Sequence, residues 1–158
     1  MTKKSGIVLV VLSALVLTAG TVFGVAAHFH SVTSSVANSG ALVVSFDERG
    51  LGNGNIDYAL TADATSLWAC INGGGKHPNA ANKESFTGQV STGGSFESKN
   101  GRVQASLIAG PLGPGSFSCP NGQRLVLASV TYTNIVLCDL TNSSCTVAPD
   151  VSRVFLAI

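Results

Sequence analysis

The sequence predicts an all-β protein: an immunoglobulin-like antiparallel β-sandwich preceded by an N-terminal signal or anchor helix. Beyond His28 no segment keeps a helical periodicity, whereas short alternating or β-branched runs recur between glycine- and asparagine-rich turns. Hydrophobic residues make up 45% of the chain and charged residues only 11%, which is typical of a packed domain with an uncharged polar surface. The length of 158 residues corresponds to one domain.

Residues 1–27 have the pattern of an export signal. Two early lysines, an apolar stretch from Ile7 to Leu17 and the small residues Val25-Ala26-Ala27 follow one another in the order that a signal peptide requires. We expect cleavage after Ala27, which leaves residues 28–158 as a single β-sandwich domain. The uncharged stretch 5–27 is also long enough to span a bilayer, so an uncleaved membrane anchor stays open. Both alternatives place the domain outside the cytoplasm, either secreted or anchored to the membrane.

About eight segments have strand character, since each is short, rich in β-branched or aromatic residues and bounded by turn formers. They are Ala41–Phe46, Ile56–Ala62, Thr65–Ile71, Ser85–Val90, Arg102–Ile108, Leu125–Tyr132, Asn134–Asp139 and Ser152–Ile158.

The spacing of these strands favours two stacked sheets, with a closed barrel as the alternative. Strand alternation predicts that Val130 and Tyr132 face one way and that Ser129 and Thr131 face the other. Residues 28–40 fit either a polar lead-in or a first edge strand.

The four cysteines predict disulfide bridges, because their number is even and the chain carries an export signal. Four cysteines allow three pairings. We favour Cys138–Cys145, since the turn-like residues between them would place both sulfur atoms across a hairpin. Cys70–Cys119 is then the second bridge. No C-x2-C pair is present, which argues against a zinc site.

Several motifs are spread along the chain: Gly50-Leu51-Gly52-Asn53, Cys70 to Lys76, Pro78 to Lys83, Lys99-Asn100-Gly101, Ser118 to Gln123 and Leu127 to Asn134. Together they resemble a family of small secreted microbial proteins of uncharacterised function. The resemblance covers residues 28–140 and implies export and a bridge like Cys70–Cys119, but no activity. Cys138 and Cys145 look like an addition to the family pattern, so their bridge depends on the hairpin argument alone.

The pattern His28-Phe29-His30 is the candidate metal site. Cleavage after Ala27 would make His28 the N-terminus, and an α-amine with its own imidazole chelates Cu(II). His30 or His77 would supply the second imidazole. An extracellular copper-binding protein is therefore one alternative function, although two histidines beside a cleavage site need no metal to explain them.

The stretch Asn53-Gly54-Asn55-Ile56-Asp57 resembles part of a calcium loop. It lacks the first Asp and the Glu at position 12 that an EF-hand needs. A glycine-rich turn that leads into a strand explains it better. No cofactor is therefore expected, with copper and calcium as the alternatives.

The long polar loop from Asn72 to Lys83, which follows Cys70, is the candidate binding site. Long loops on rigid scaffolds often bind ligands, and this one carries Lys76, His77, Asn79, Asn82 and Lys83. The partner would be an unknown extracellular ligand or a cell-surface component. We expect no contact with nucleic acid, because seven basic residues beyond the leader stand against eight acidic ones without forming a basic run.

No catalytic residue is assigned. The sequence holds no G-x-S-x-G motif, and its eight acidic residues show no distinctive pair. We expect a secreted or surface-exposed, non-enzymatic module that is structural or binds a ligand. A secreted hydrolase is a further alternative.

Overall fold

The computed structural model describes residues 26–72 and 82–158. Within them the chain forms eight β-strands: β1 His28–Val36, β2 Leu42–Arg49, β3 Gly54–Asn72, β4 Lys83–Ser98, β5 Arg102–Ala109, β6 Gln123–Asp139, β7 Ser144–Val147 and β8 Val151–Val154. The predicted all-β class is confirmed. The predicted signal or anchor helix lies outside the described residues. In the part that is described, no helix is long and apolar enough to cross a bilayer.

The strands form two antiparallel sheets. The first has three strands in the order β1-β2-β5, and the second has five strands in the order β4-β3-β6-β7, with β8 also paired to β6. β7 pairs with the end of β6, and β8 pairs with its middle, so the two short strands share one side of β6. In the second sheet the long strands β3 and β6 lie at the centre, with the short β7 and β8 on one side and the 16-residue β4 on the other.

Alternate side chains of both sheets fill one shared core. Leu42, Val44, Leu60 and Leu137 are fully buried there, and buried residues of the two sheets form a single cluster. The arrangement is therefore β-sandwich-like. Covering such apolar side chains contributes about 1.5–3 kcal/mol each to folding.

The predicted alternation in β6 is confirmed. Val130 and Tyr132 are buried, at 1% and 0% exposure, while Ser129 is half-buried and Thr131 is exposed. The Tyr132 hydroxyl donates a hydrogen bond of 2.7 Å to the backbone oxygen of Gly40. This bond satisfies a polar group inside an apolar core and ties β6 to the turn before β2.

In two places, two predicted strands form one continuous strand in the structure. β3 joins Ile56–Ala62 to Thr65–Ile71, and β6 joins Leu125–Tyr132 to Asn134–Asp139. The two strands pair with each other, and their register shifts between Thr61 and Asp63. A bulge of this kind absorbs an extra residue while the strand continues.

Asn134 marks the bulge on β6. Its φ is +50°, a conformation that asparagine tolerates better than most residues. Its side-chain amide donates a 2.7 Å hydrogen bond to the Asp63 carboxylate on the facing strand. The residues that suggest a break in the sequence therefore hold the bulge together.

β4 is much longer than the predicted strand Ser85–Val90, because it continues through Gly93 and Gly94. At Gly94 an added Cβ would lie 3.0 Å from side-chain carbons of both Leu107 and Phe96. Close packing explains a glycine inside this strand, where the sequence suggests a turn.

The remaining differences concern the short strands at the ends of the chain. Residues 28–36 form a first edge strand, which settles the open alternative for the region after the leader. β7 is not predicted, because its four residues directly follow a turn. The last strand covers Val151–Val154 and stops before the predicted end at Ile158.

Both predicted disulfide bridges are present. Cys70–Cys119 joins residues 49 apart, and Cys138–Cys145 joins residues 7 apart. Cys138 and Cys145 are direct cross-strand partners of β6 and β7, as the hairpin argument requires. Cys70–Cys119 ties the far end of β3 to the segment that connects β5 with β6.

Candidate functional site

The turn between β4 and β5 borders an open, polar groove on the described surface. The backbones of Lys99 and Arg102 exchange hydrogen bonds of 2.9 and 3.2 Å across a two-residue loop. Asn100 and Gly101 both have positive φ, +54° and +73°, as in a type I′ hairpin turn. At Gly101 a Cβ would also lie 3.1 Å from the Leu51 backbone oxygen, so the turn requires glycine.

A groove of about 600 Å³ lies along this turn. Its lining consists of Phe96, Glu97, Lys99, Asn100, Arg102, Val103 and Gln104. The size suits a small ligand, but the groove is open and its charges are mixed. Amide, ammonium, guanidinium and carboxylate groups around one aromatic ring would hold a polar ligand by hydrogen bonds rather than enclose an apolar one.

Asp47 anchors one wall of the groove between two arginines. Arg49 and Arg102 are cross-strand partners on β2 and β5, and both guanidinium groups reach the Asp47 carboxylate, at 3.0 and 2.7 Å. The Arg102 contact is bidentate, with Nε at 2.8 Å from the second oxygen. The hydrogen bond from Arg102, and to a lesser extent the one from Arg49, holds the pKa of Asp47 well below its usual range.

Glu48, next to Asp47 in the chain, points in the opposite direction and is completely buried. Its Oε2 accepts a hydrogen bond of 2.7 Å from the Tyr58 hydroxyl. Its Oε1 has no hydrogen-bond partner among the described residues. Asp139 is also fully buried and accepts two bonds from Asn142, of 2.8 Å from the backbone and 2.6 Å from the side chain.

The environment of Glu48 favours its neutral form. Burial raises the pKa of Glu48; the Tyr58 hydrogen bond opposes this, and the neighbouring Asp139 carboxylate adds to the rise. Burial and the contact with Glu48 likewise raise the pKa of Tyr58. Because these groups are sealed from solvent, the Glu48–Tyr58–Asp139 cluster acts on folding and packing rather than on a ligand.

The predicted metal ligands His28 and His30 lie on exposed positions of β1. His28 Nδ1 is 2.9 Å from the Ala26 backbone oxygen, and His30 falls at the register shift between Phe29 and Ser31. His77 lies outside the described residues. Within the described ranges no three His, Cys, Asp or Glu side chains gather as they would around a metal ion. The copper hypothesis stays a prediction.

The stretch that resembles a calcium loop is a turn followed by the start of β3. Gly54, Asn55 and Asp57 belong to that strand, and the Asp57 backbone bonds to Thr141 Oγ1 and the Leu140 amide, at 3.0 and 2.8 Å. A strand presents side chains in a row and does not wrap around an ion. The structure therefore agrees with the simpler interpretation of this pattern.

Of the five candidate residues in the predicted binding loop, Asn82 and Lys83 are described. Asn82 accepts a 3.0 Å bond from the Cys70 amide through its backbone oxygen, and Lys83 is the exposed first residue of β4. Lys76, His77 and Asn79 lie outside the described residues. The loop leaves the sheet at the end of β3 and β4 opposite to the groove, since Gly54 pairs with Ser98 at the groove end.

From the sequence, Asp47 and Glu48 are considered only as extra ligands of the calcium alternative, and the ion pairs of Asp47 with Arg49 and Arg102 are not predicted. A usable signal exists, because Glu48 continues the core-facing series of Leu42, Val44 and Phe46 at every second residue. That spacing places a carboxyl group inward. Nothing in the local sequence shows that Arg102 would reach Asp47 from another strand.

No family model, curated protein or solved structure matches this chain. The resemblance of its motifs to small secreted microbial proteins stays a prediction.

Proposed function

We propose that this chain is an exported, disulfide-stapled module of the immunoglobulin-like β-sandwich type. It works outside the cytoplasm without catalysis, as a structural or binding component of the cell surface or its surroundings. The observation that carries the proposal is that all four cysteines are paired in two bridges. Such bridges persist in oxidising compartments and are rare in the cytosol.

The order of the strands supports the immunoglobulin-like assignment. With β1, β2 and β5 as strands A, B and E, and with β3, β6 and β7 as strands C, F and G, the sheets become A-B-E and C-F-G. These neighbours are those of the immunoglobulin-type sandwich. β4 extends the second sheet beside strand C.

The outer faces of the sheets support an extracellular role without a charged partner. Ser45 and Ser106 share a hydrogen bond of 2.8 Å on the first sheet. On the second sheet Thr65 lies between Thr87 and Thr131 in one row of hydroxyl groups. Uncharged hydroxyl-bearing surfaces of this kind can bind water, glycans or other sheets, but they offer no attraction for nucleic acid.

Fractionation of the producing cells tests the proposal. The protein should appear in the medium or in the membrane fraction, and protease added to intact cells should degrade the membrane-bound form. A matched control carries Lys3→Glu and Lys4→Glu, which remove the positive start of the leader and should retain the protein inside. Wild-type protein that stays in the cytoplasm with reduced cysteines would contradict the proposal.

A further inference from the structure

β4 is a long outer strand with one side open to pairing. It runs for 16 residues at the edge of the second sheet, and among the described residues only its partner β3 lies beside it in that sheet. Natural proteins usually blunt such edges with charges, prolines or short strands. Between Glu84 and Glu97 β4 has no charged residue and no proline.

The other outer strands of the described residues are shorter than β4. β7 and β8 are four residues each, and Pro149 lies between them. β1 has nine residues and is contacted near its C-terminal end, where Ser34 bonds to the Pro149 oxygen and Arg153 donates a hydrogen bond of 3.1 Å to the Val36 oxygen. β5 is half as long as β4 and begins with the Arg102 that binds Asp47. Among the described residues β4 is therefore the longest outer strand, with 16 residues.

We propose that β4 is a self-pairing edge, along which two copies of this chain join antiparallel and extend the second sheet across both molecules. The occupant is a second copy because the charges at the two ends of β4 complement each other. Lys83 opens the strand, and Glu97 lies next to its last residue. A two-fold axis at Val90 places Lys83 of each copy opposite Glu97 of the other.

The faces of the strand agree with this register. Lys83 and Glu97 are both exposed, whereas Val90 and Ser98 are buried at the alternate positions. In a continuous sheet, directly opposite residues share a face, and a one-residue slip would turn the core side of one copy outward. The register through Val90 keeps both cores on the same side.

The charges also disfavour the neighbouring registers, because these lose the Lys83–Glu97 pairs. A shift of two positions one way places Lys83 opposite Lys99, and a shift of two the other way places it opposite the uncharged Ser95. In the proposed register Glu84 lies opposite Phe96, so the only charge contacts between opposite residues are the two Lys83–Glu97 pairs. Opposite charges that face each other across strands attract, and like charges repel. This pairing would hold whether or not the protein is exported.

Sedimentation equilibrium of the purified, oxidised protein over a range of concentrations tests the inference. We expect a dimer whose dissociation constant rises about tenfold or more in Lys83→Glu and in Glu97→Lys, because each reversal changes two attractive contacts into two repulsive ones. The double variant K83E/E97K restores both pairs and should dimerise like the wild type. Arg124→Glu, which changes the charge of an exposed residue away from β4 by the same amount as K83E, should leave the dimer unchanged.

The dimer should also protect alternate β4 amides from hydrogen exchange as concentration rises. A protein that stays monomeric at concentrations up to about 1 mM would overturn the inference. The edge of β4 would then be available for pairing with a strand of another protein. A dimer that is equally stable in all four variants would overturn it too, since association would then use another surface. Each result is independent of where the cell places the protein.

Discussion

The substitution Glu48→Gln should stabilise the protein at neutral and alkaline pH. Glu48 is fully buried, and within residues 26–72 and 82–158 only one of its oxygens has a partner, the Tyr58 hydroxyl. A buried polar atom without a partner costs about 1–3 kcal/mol. Glutamine keeps an acceptor for Tyr58 and replaces the second oxygen with a neutral donor beside Asp139. We therefore expect a gain of about 1 kcal/mol in the free energy of unfolding at pH 8.

The pH dependence gives the sharper test. Burial raises the pKa of Glu48 above its ordinary value of 4.5, so the native state holds more protons than the unfolded chain above that pH. The contribution of Glu48 to the free energy of unfolding is therefore complete only below about pH 4.5, and it is lost as pH rises through the native pKa. Glutamine has no proton to lose, so the advantage of the variant should grow from pH 4 to pH 8.

Urea unfolding of the oxidised wild type and of Glu48→Gln across that range measures the difference directly. Glu84→Gln serves as the control, because Glu84 is exposed and should change little at any pH. Tyr58→Phe should act in the opposite direction, since it removes the hydrogen bond that Glu48 Oε2 accepts from the Tyr58 hydroxyl. A wild-type stability that rises in parallel with that of Glu48→Gln between pH 4 and 8 would refute the reasoning.

Two further predictions concern the backbone constraints. Replacing Cys70–Cys119 with two serines should cost about 4 kcal/mol and replacing Cys138–Cys145 about 2.5 kcal/mol, because their separations of 49 and 7 residues close loops of very different entropy; equal losses in denaturant unfolding would contradict this account. Gly101→Ala should cost about 1–2 kcal/mol, since its φ is +73° and Leu51 lies 3.1 Å from the added Cβ. Gly113→Ala, which meets nothing within 4 Å, should leave the melting temperature unchanged or slightly raise it.

The sequence predicts the strands well where periodicity and turn residues agree. Val130 and Tyr132 alternate with polar neighbours, and their burial follows. The Asn100-Gly101 turn is recognisable because only these residue types adopt positive φ readily. The bridges follow from the hairpin between Cys138 and Cys145, after which one pairing remains.

Local sequence fails where a distant residue changes the meaning of a signal. The charged end of β2 suggests that the strand stops at Phe46, but Arg102 of β5 pairs with Asp47 and the strand continues to Arg49. Asn134 suggests a break, yet Asp63 on the facing strand stabilises a bulge there. Gly94 suggests a turn, yet Leu107 of β5 packs against it. In each case the deciding contact comes from a residue far away in the chain.

The candidate site is harder to predict than the fold for the same reason. The groove combines residues from two strands and their turn, and its wall depends on an ion pair between β2 and β5. The histidines and the loop after Cys70 stand out in the sequence because of their composition. Composition alone does not indicate which residues the fold brings together.

The central claim is that this is a doubly bridged module that works outside the cytoplasm. The most direct measurement is the intact mass of the protein recovered from the medium and membrane fraction of its natural host, before and after reduction. The account predicts a protein that gains four hydrogens on reduction, because both bridges are closed. Protein recovered only from the cytoplasm, with an unchanged mass on reduction, would contradict it.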